Sequence, residues 1–64
     1  MHPKMTTWED GTRKWYLNGI QHREDGPAVI YANGNEAWWI NGEELFEDEI
    51  WALKFKIQIA EAIK

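Results

Sequence analysis

The sequence predicts a small α+β domain: an antiparallel β-meander of two hairpin repeats of about 23 residues, followed by one C-terminal α-helix. Three observations predict it. Residues 7–21, TWEDGTRKWYLNGIQ, return 23 positions later as IYANGNEAWWINGEE at 30–44, so that Gly11, Trp15, Asn18 and Gly19 fall on Gly34, Trp38, Asn41 and Gly42. Asp-Gly or Asn-Gly occurs at 10–11, 18–19, 33–34 and 41–42, between short runs rich in aromatic and β-branched residues. From about residue 46 the apolar residues change to steps of three and four. A fixed period of this size marks stacked supersecondary units.

The elements follow in order. Asn or Asp before Gly supplies the positive φ that tight type I′ turns need at both central residues. With turns at those four dipeptides, strands are expected near 5–9, 12–17, 20–22, 28–32, 35–40 and, more weakly, 43–45. Arg23-Glu24-Asp25-Gly26-Pro27 is the connecting loop, broken by Gly-Pro. A two-residue loop at 33–34 would pair Tyr31 with Glu36 and Val29 with Trp38. Cross-strand partners share a face, so Val29, Tyr31, Trp38 and Ile40 project together. By the 23-residue offset Trp8, Trp15 and Leu17 join them as the predicted sheet core. The opposite face carries Ala28, Ile30, Ala37 and Trp39 in the second unit, and Met5, Thr7, Lys14 and Tyr16 in the first.

The helix is expected over 46–63, within a single domain spanning 1–64 with the repeats at 5–45. Phe46, Ile50, Leu53, Ile57 and Ala60 make one apolar stripe, which should lie on the sheet. Trp51, Phe55 and Ile59, with Ala62 and Ile63 beside them, make a second stripe on the far side. A helix apolar on two faces needs two surfaces to pack against. No Ser or Thr caps its start; Asp48 could cap a start at 49, or the helix could begin nearer 44. Glu43, Glu44, Glu47, Asp48 and Glu49 near its beginning, and Lys54, Lys56 and Lys64 later, suit the helix dipole.

Composition narrows the classes. A 64-residue chain buries only about 60% of its unfolded surface, and five tryptophans, each able to bury roughly 150–250 Å², answer that need. There is no cysteine, which excludes disulfides and zinc–thiolate sites and fits a reducing cytoplasm. No apolar run approaches the ~20 residues of a membrane span, and the N-terminus carries no signal-peptide core. Net charge is −4, of which −1 falls on residues 1–42 and −3 on residues 43–64. Without a basic stripe, direct binding of nucleic acid or of an anionic membrane is not expected.

Trp15-Tyr16-Leu17-Asn18-Gly19, His22-Arg23-Glu24-Asp25-Gly26-Pro27-Ala28 and Trp38-Trp39-Ile40-Asn41-Gly42 resemble a known pattern, the variant repeats related to MORN (membrane occupation and recognition nexus) units. The version with His-Arg-Glu-Asp-Gly-Pro-Ala between Trp-x-x-Asn-Gly blocks is similar to small bacteriophage proteins. The match covers roughly residues 7–44. The resemblance implies one β-hairpin per unit, a scaffold or interaction role, and a bacterial host cytoplasm as the compartment. Some eukaryotic MORN-repeat proteins associate with membranes. This chain departs from them in its acidity, its short array and its terminal helix. Repeat arrays require end caps, and the helix is the candidate cap.

The candidate chemistry is thin. His22, Glu24 and Asp25 are the residue types of an acid–base or metal site. The simpler reading is a loop in which Asp25 bonds backbone amides ahead of Gly26-Pro27, because no nucleophile is paired with the histidine and the other histidine, His2, is terminal. The tryptophans could stack on bases or sugars, but stacking platforms for single strands come with a basic groove. Tyr16 and Trp39 stand evenly between packing under the helix and an exposed recognition patch. Glu43-Glu44-Leu45-Phe46-Glu47-Asp48-Glu49 could imitate nucleic-acid phosphates, against the plainer reading of a solvated helix start.

No nucleophile–base pair, phosphate-binding glycine loop or metal-ligand spacing is present. No catalytic residue, cofactor or metal is therefore expected. The functional expectation is a non-catalytic protein–protein interaction module; the resemblance implies a phage accessory protein that binds a host or defence protein, with inhibition of it as one outcome. Its expected partner-binding residues are Trp51, Phe55, Ile59, Tyr16 and Trp39, with a second copy of itself as the simplest partner. The alternatives are a self-associating structural protein without a host target and an acidic nucleic-acid mimic.

Overall fold

The computed structural model describes residues 2–63. Seven short strands precede one helix: β1 (Lys4–Thr7), β2 (Arg13–Leu17), β3 (Ile20–Gln21), β4 (Val29–Ile30), β5 (Glu36–Ala37), β6 (Trp39–Ile40), β7 (Glu43–Glu44) and α1 (Glu47–Ile63). The chain is thus α+β, with antiparallel hairpins followed by a C-terminal helix. β1 and β4 flank β2, β5 lies outside β4, and β3 shares one edge of β2 with β4. β6 and β7 form a separate two-stranded sheet.

The four Gly turns are of two kinds, each used once per unit. Asn18-Gly19 and Asn41-Gly42 have positive φ at both residues and close two-residue loops, pairing Leu17 with Ile20 and Ile40 with Glu43. These are the type I′ turns expected from the dipeptides. Asp10-Gly11 and Asn33-Gly34 are not. There only the glycine has positive φ, and the loops hold three residues. The Gly11 amide donates to the Trp8 carbonyl and the Trp8 amide to the Thr12 carbonyl; Gly34, Tyr31 and Asn35 repeat this arrangement. This is the type I turn closed by a glycine bulge. The side chain preceding each glycine completes it, Asp10 Oδ1 accepting from the Thr12 amide at 2.9 Å and Asn33 Oδ1 from the Asn35 amide at 3.0 Å.

The extra loop residue corrects the expected register. Val29 pairs with Ala37 rather than Trp38, and Ile30 rather than Tyr31 lies opposite Glu36. A one-residue slip moves side chains to the other face, so the predicted core is only partly right. Val29 and Trp38 are buried and Trp15, Leu17 and Ile40 half-buried, but Trp8 and Tyr31 are exposed beside their turns. Ala28 and Ala37, assigned to the opposite face, are buried instead.

The units are joined by backbone and side-chain bonds. The Trp15 amide donates to the Ala28 carbonyl, Arg23 to Trp39, and Gly42 to Gln21. The Thr12 hydroxyl accepts the Ala32 amide at 3.3 Å, tying one bulged turn to the next. At the other edge Gly42 lies against Ile20, where an added Cβ would stand 3.2 Å from Ile20 Cγ2. Like turns therefore stack on like turns along both edges.

Candidate interaction surface

The helix begins at Glu47 because Phe46 serves as its N-cap residue. The Phe46 carbonyl accepts the Ile50 amide, and Glu49 Oε1 reaches back to accept the Phe46 amide at 2.9 Å. That is the glutamate half of a capping box, and it replaces the cap by Asp48 considered from sequence. Glu47, Asp48 and Glu49 occupy the first turn, where the dipole favours acids. Lys64, expected to complement the other end, lies outside the described residues.

The two apolar stripes separate as their spacing requires. Ile50, Leu53 and Ile57 are half-buried toward the sheet, where Leu53 and Ile57 face Ile40 across an open groove of about 560 Å³ that Asp25 also lines. Lys54 Nζ stands 5.6 Å from the ring centre of Trp38 and covers it. Phe46 and Ala60, assigned to this stripe, are exposed, Phe46 because it precedes the helix and escapes its periodicity. Among the described side chains of α1, none is buried.

Trp51, Phe55 and Ile59 point away from the sheet and are 70%, 64% and 44% exposed. Each forgoes part of the roughly 1.5–3 kcal/mol that full burial of such a side chain supplies. Three such side chains on successive turns form a continuous strip of the kind that soluble monomers seldom leave open. Tyr16 and Trp39, the other two residues considered, lie in β2 and β6, half-buried and apart from the strip. The Trp39 indole Nε1 and Gln21 Nε2 are enclosed without a hydrogen-bond partner.

The His22 segment is held by hydrogen bonds and stacking. His22 is 6% exposed, and its Nδ1 accepts the Asn41 amide at 2.9 Å, bridging the residue after β3 to the second type I′ turn. An accepting Nδ1 places the ring proton of neutral His22 on Nε2, which lies 3.8 Å from a Glu24 oxygen. The Arg23 guanidinium lies flat over Trp15, 4.0 Å from the ring centre, and bonds Asp25 at 2.9 Å and the Pro27 carbonyl at 3.0 Å. Gly26 makes room for it, since a Cβ there would fall 2.7 Å from Arg23 Cζ. Asp25 thus holds Arg23, not the backbone amides expected of it. Among the described residues no three His, Asp or Glu side chains gather as a metal site.

One further aromatic site escaped the sequence reading. Trp8 and Tyr31, equivalent in the two units, flank Thr12 in an open cleft of about 660 Å³, with Lys14 Nζ 4.8 Å above the Trp8 ring. The signal was the position of Gly11 and Gly34 at the end of a three-residue loop, which moves the preceding aromatic to the turn.

Among the described residues no helix is long and apolar enough to cross a membrane. No family model, curated protein or solved structure matches the chain.

Proposed function

We propose that this chain is a non-catalytic protein–protein interaction module whose recognition element is the outer face of α1. The observation that carries the reading is the uncovered strip of Trp51, Phe55 and Ile59 on a helix held only by its other face. Trp and Phe are enriched in the buried centres of protein interfaces. The His22–Ala28 segment, the best candidate for chemistry, is engaged in bonds within its own loop and to the neighbouring unit, through His22, Arg23 and Ala28. The sequence resemblance to MORN-like phage repeats supports the same role and adds its setting: an accessory protein in the cytoplasm of a bacterial host, acting on a host or defence protein.

Affinity capture from host extract, wild type against Trp51→Glu with Phe55→Glu, tests the proposal. A bound protein lost from the folded double variant supports it. Equal capture by both proteins would remove the strip from recognition. An acidic mimic would instead show binding that collapses as salt rises, because exposed charges are screened beyond ~8 Å at physiological ionic strength. Glu49 argues against that role, since its carboxylate is engaged in capping the helix.

A further inference from the structure

The molecule has more surface than a chain of its mass should. A compact 7.6 kDa protein exposes about 4,300 Å², whereas this one exposes 5124 Å². Its radius of gyration is 12.1 Å against about 10.7 Å for a compact chain of this length. The excess, about 800 Å², matches what one partner contributes to a protein–protein interface of standard size. It belongs with a helix that has no buried side chain among those described and an apolar strip along its outer face.

We propose that a second copy of this chain covers the strip, helix against helix in antiparallel fashion, with Phe55 at the two-fold axis. This rests on the reading of α1 as a recognition surface and adds the identity of the partner. Phe55 is the middle residue of α1, and Trp51 and Ile59 lie one turn to either side. A two-fold interface must be self-complementary. A strip centred on the helix meets that condition when Phe55 packs on Phe55 of the second copy and each Trp51 on the opposite Ile59. The small residues Ala52 and Ala62 lie beside the strip and let the helices approach.

Charge selects the antiparallel direction. In a parallel pair the first turns, each carrying Glu47, Asp48 and Glu49, would lie side by side. Antiparallel packing separates them by about 25 Å, the length of the helix, and opposes the two helix dipoles.

The full chain has no cysteine, so single cysteines report geometry directly. Sedimentation of the wild type at roughly 100 µM, above the micromolar dissociation constants such areas support, should give twice the chain's mass. Phe55→Glu should give the chain's mass with an unchanged circular dichroism spectrum. Under mild oxidation Phe55→Cys should form a disulfide-linked dimer. Trp51→Cys should not, because its two copies would stand about 12 Å apart along the axis, but it should cross-link with Ile59→Cys.

A wild-type monomer at that concentration overturns self-association and leaves the interaction module with a foreign partner. Self-linking of Trp51→Cys in preference to Phe55→Cys overturns the antiparallel arrangement. Unfolding of Phe55→Glu would make the strip internal core and sink both the dimer and the proposed function.

Discussion

The first hairpin unit, β1 to β3, and the second, β4 to β7, repeat the same pair of turns and the same Asx bonds, yet differ at their equivalent tryptophans. Trp15 sits in the unbroken strand β2. Its amide donates to the Ala28 carbonyl at 2.8 Å, and its carbonyl accepts the His22 amide at 3.2 Å. Trp38 repeats the second bond, from Leu45 at 2.8 Å. By the 23-residue offset, the carbonyl that would meet its amide belongs to Trp51, and Trp51 is in the helix. The strand is interrupted there, and β6 pairs into its own small sheet with β7. Strand continuity in this fold thus depends on the neighbouring unit rather than on the strand's own residues.

The covers differ in the same way. Trp15 is stacked by Arg23 from its own unit's loop, whereas Trp38 lies under Lys54 from the helix. Each tryptophan carries a cation on its face, supplied locally in one unit and by the terminal cap in the other. Trp38 is also the more deeply buried, at 6% exposure, while Trp15 remains half-buried.

The largest expected effect tests that asymmetry. Trp38→Ala should cost about 3–5 kcal/mol, comparable to the whole stability of a domain this small, and leave the chain largely unfolded. Trp15→Ala should cost less, because its ring is partly solvated. Thermal unfolding followed by circular dichroism compares them, and equal losses would show that the helix adds nothing to the burial of Trp38.

His22 and Leu45 occupy equivalent positions, but only His22 has an amide to receive. His22→Leu should cost about 1 kcal/mol by leaving the part-buried Asn41 amide without its protein acceptor. His22→Asn, which offers an oxygen near the place of Nδ1, should recover part of the loss. Urea midpoints decide, and an unchanged midpoint for His22→Leu would mean that the bridge between the units is dispensable.

The type I′ turns sharpen the comparison at smaller scale. Gly19 and Gly42 share positive φ, so alanine at either should cost about 1–2 kcal/mol. At Gly42 the new Cβ also meets Ile20, while at Gly19 nothing lies within 4 Å. Gly42→Ala should therefore be the more destabilising, and the difference measures the packing of one turn on the other. Equal costs would show that Ile20 simply moves aside.

The smallest effect separates the bulged turns. Hydrogen bonding from the Thr12 amide, then from the Thr12 hydroxyl, holds the Asp10 carboxyl below the usual carboxylate range. A depressed folded value means that this contribution is complete above the ordinary aspartate range, and is lost as pH falls through the folded one. Asn33 makes the same turn without a charge. Acidification below about pH 4 should shift the Thr12 amide resonance and leave that of Asn35 in place, and Asp10→Asn should abolish the Thr12 titration. Matching shifts at both amides would assign the change to general unfolding.

The sequence by itself determined the period, the places of all four turns, the presence of the C-terminal helix and the separation of its Leu53 and Phe55 faces. Each of these is set over a few residues, by the positive φ that Gly tolerates or by the 100° step of a helix. The candidate strip of Trp51, Phe55 and Ile59 was legible for the same reason. Tertiary structure decided what depends on distant partners. The bulged turns set the register, which sent Trp8 and Tyr31 outward and Ala28 and Ala37 inward. The second unit made His22 a buried acceptor for the Asn41 amide. The helix settled beside Ile40 and Trp38, where the array has no third unit to continue it. Spacing along a chain specifies which side chains can share a face; only the hydrogen bonds between units select the face that is covered.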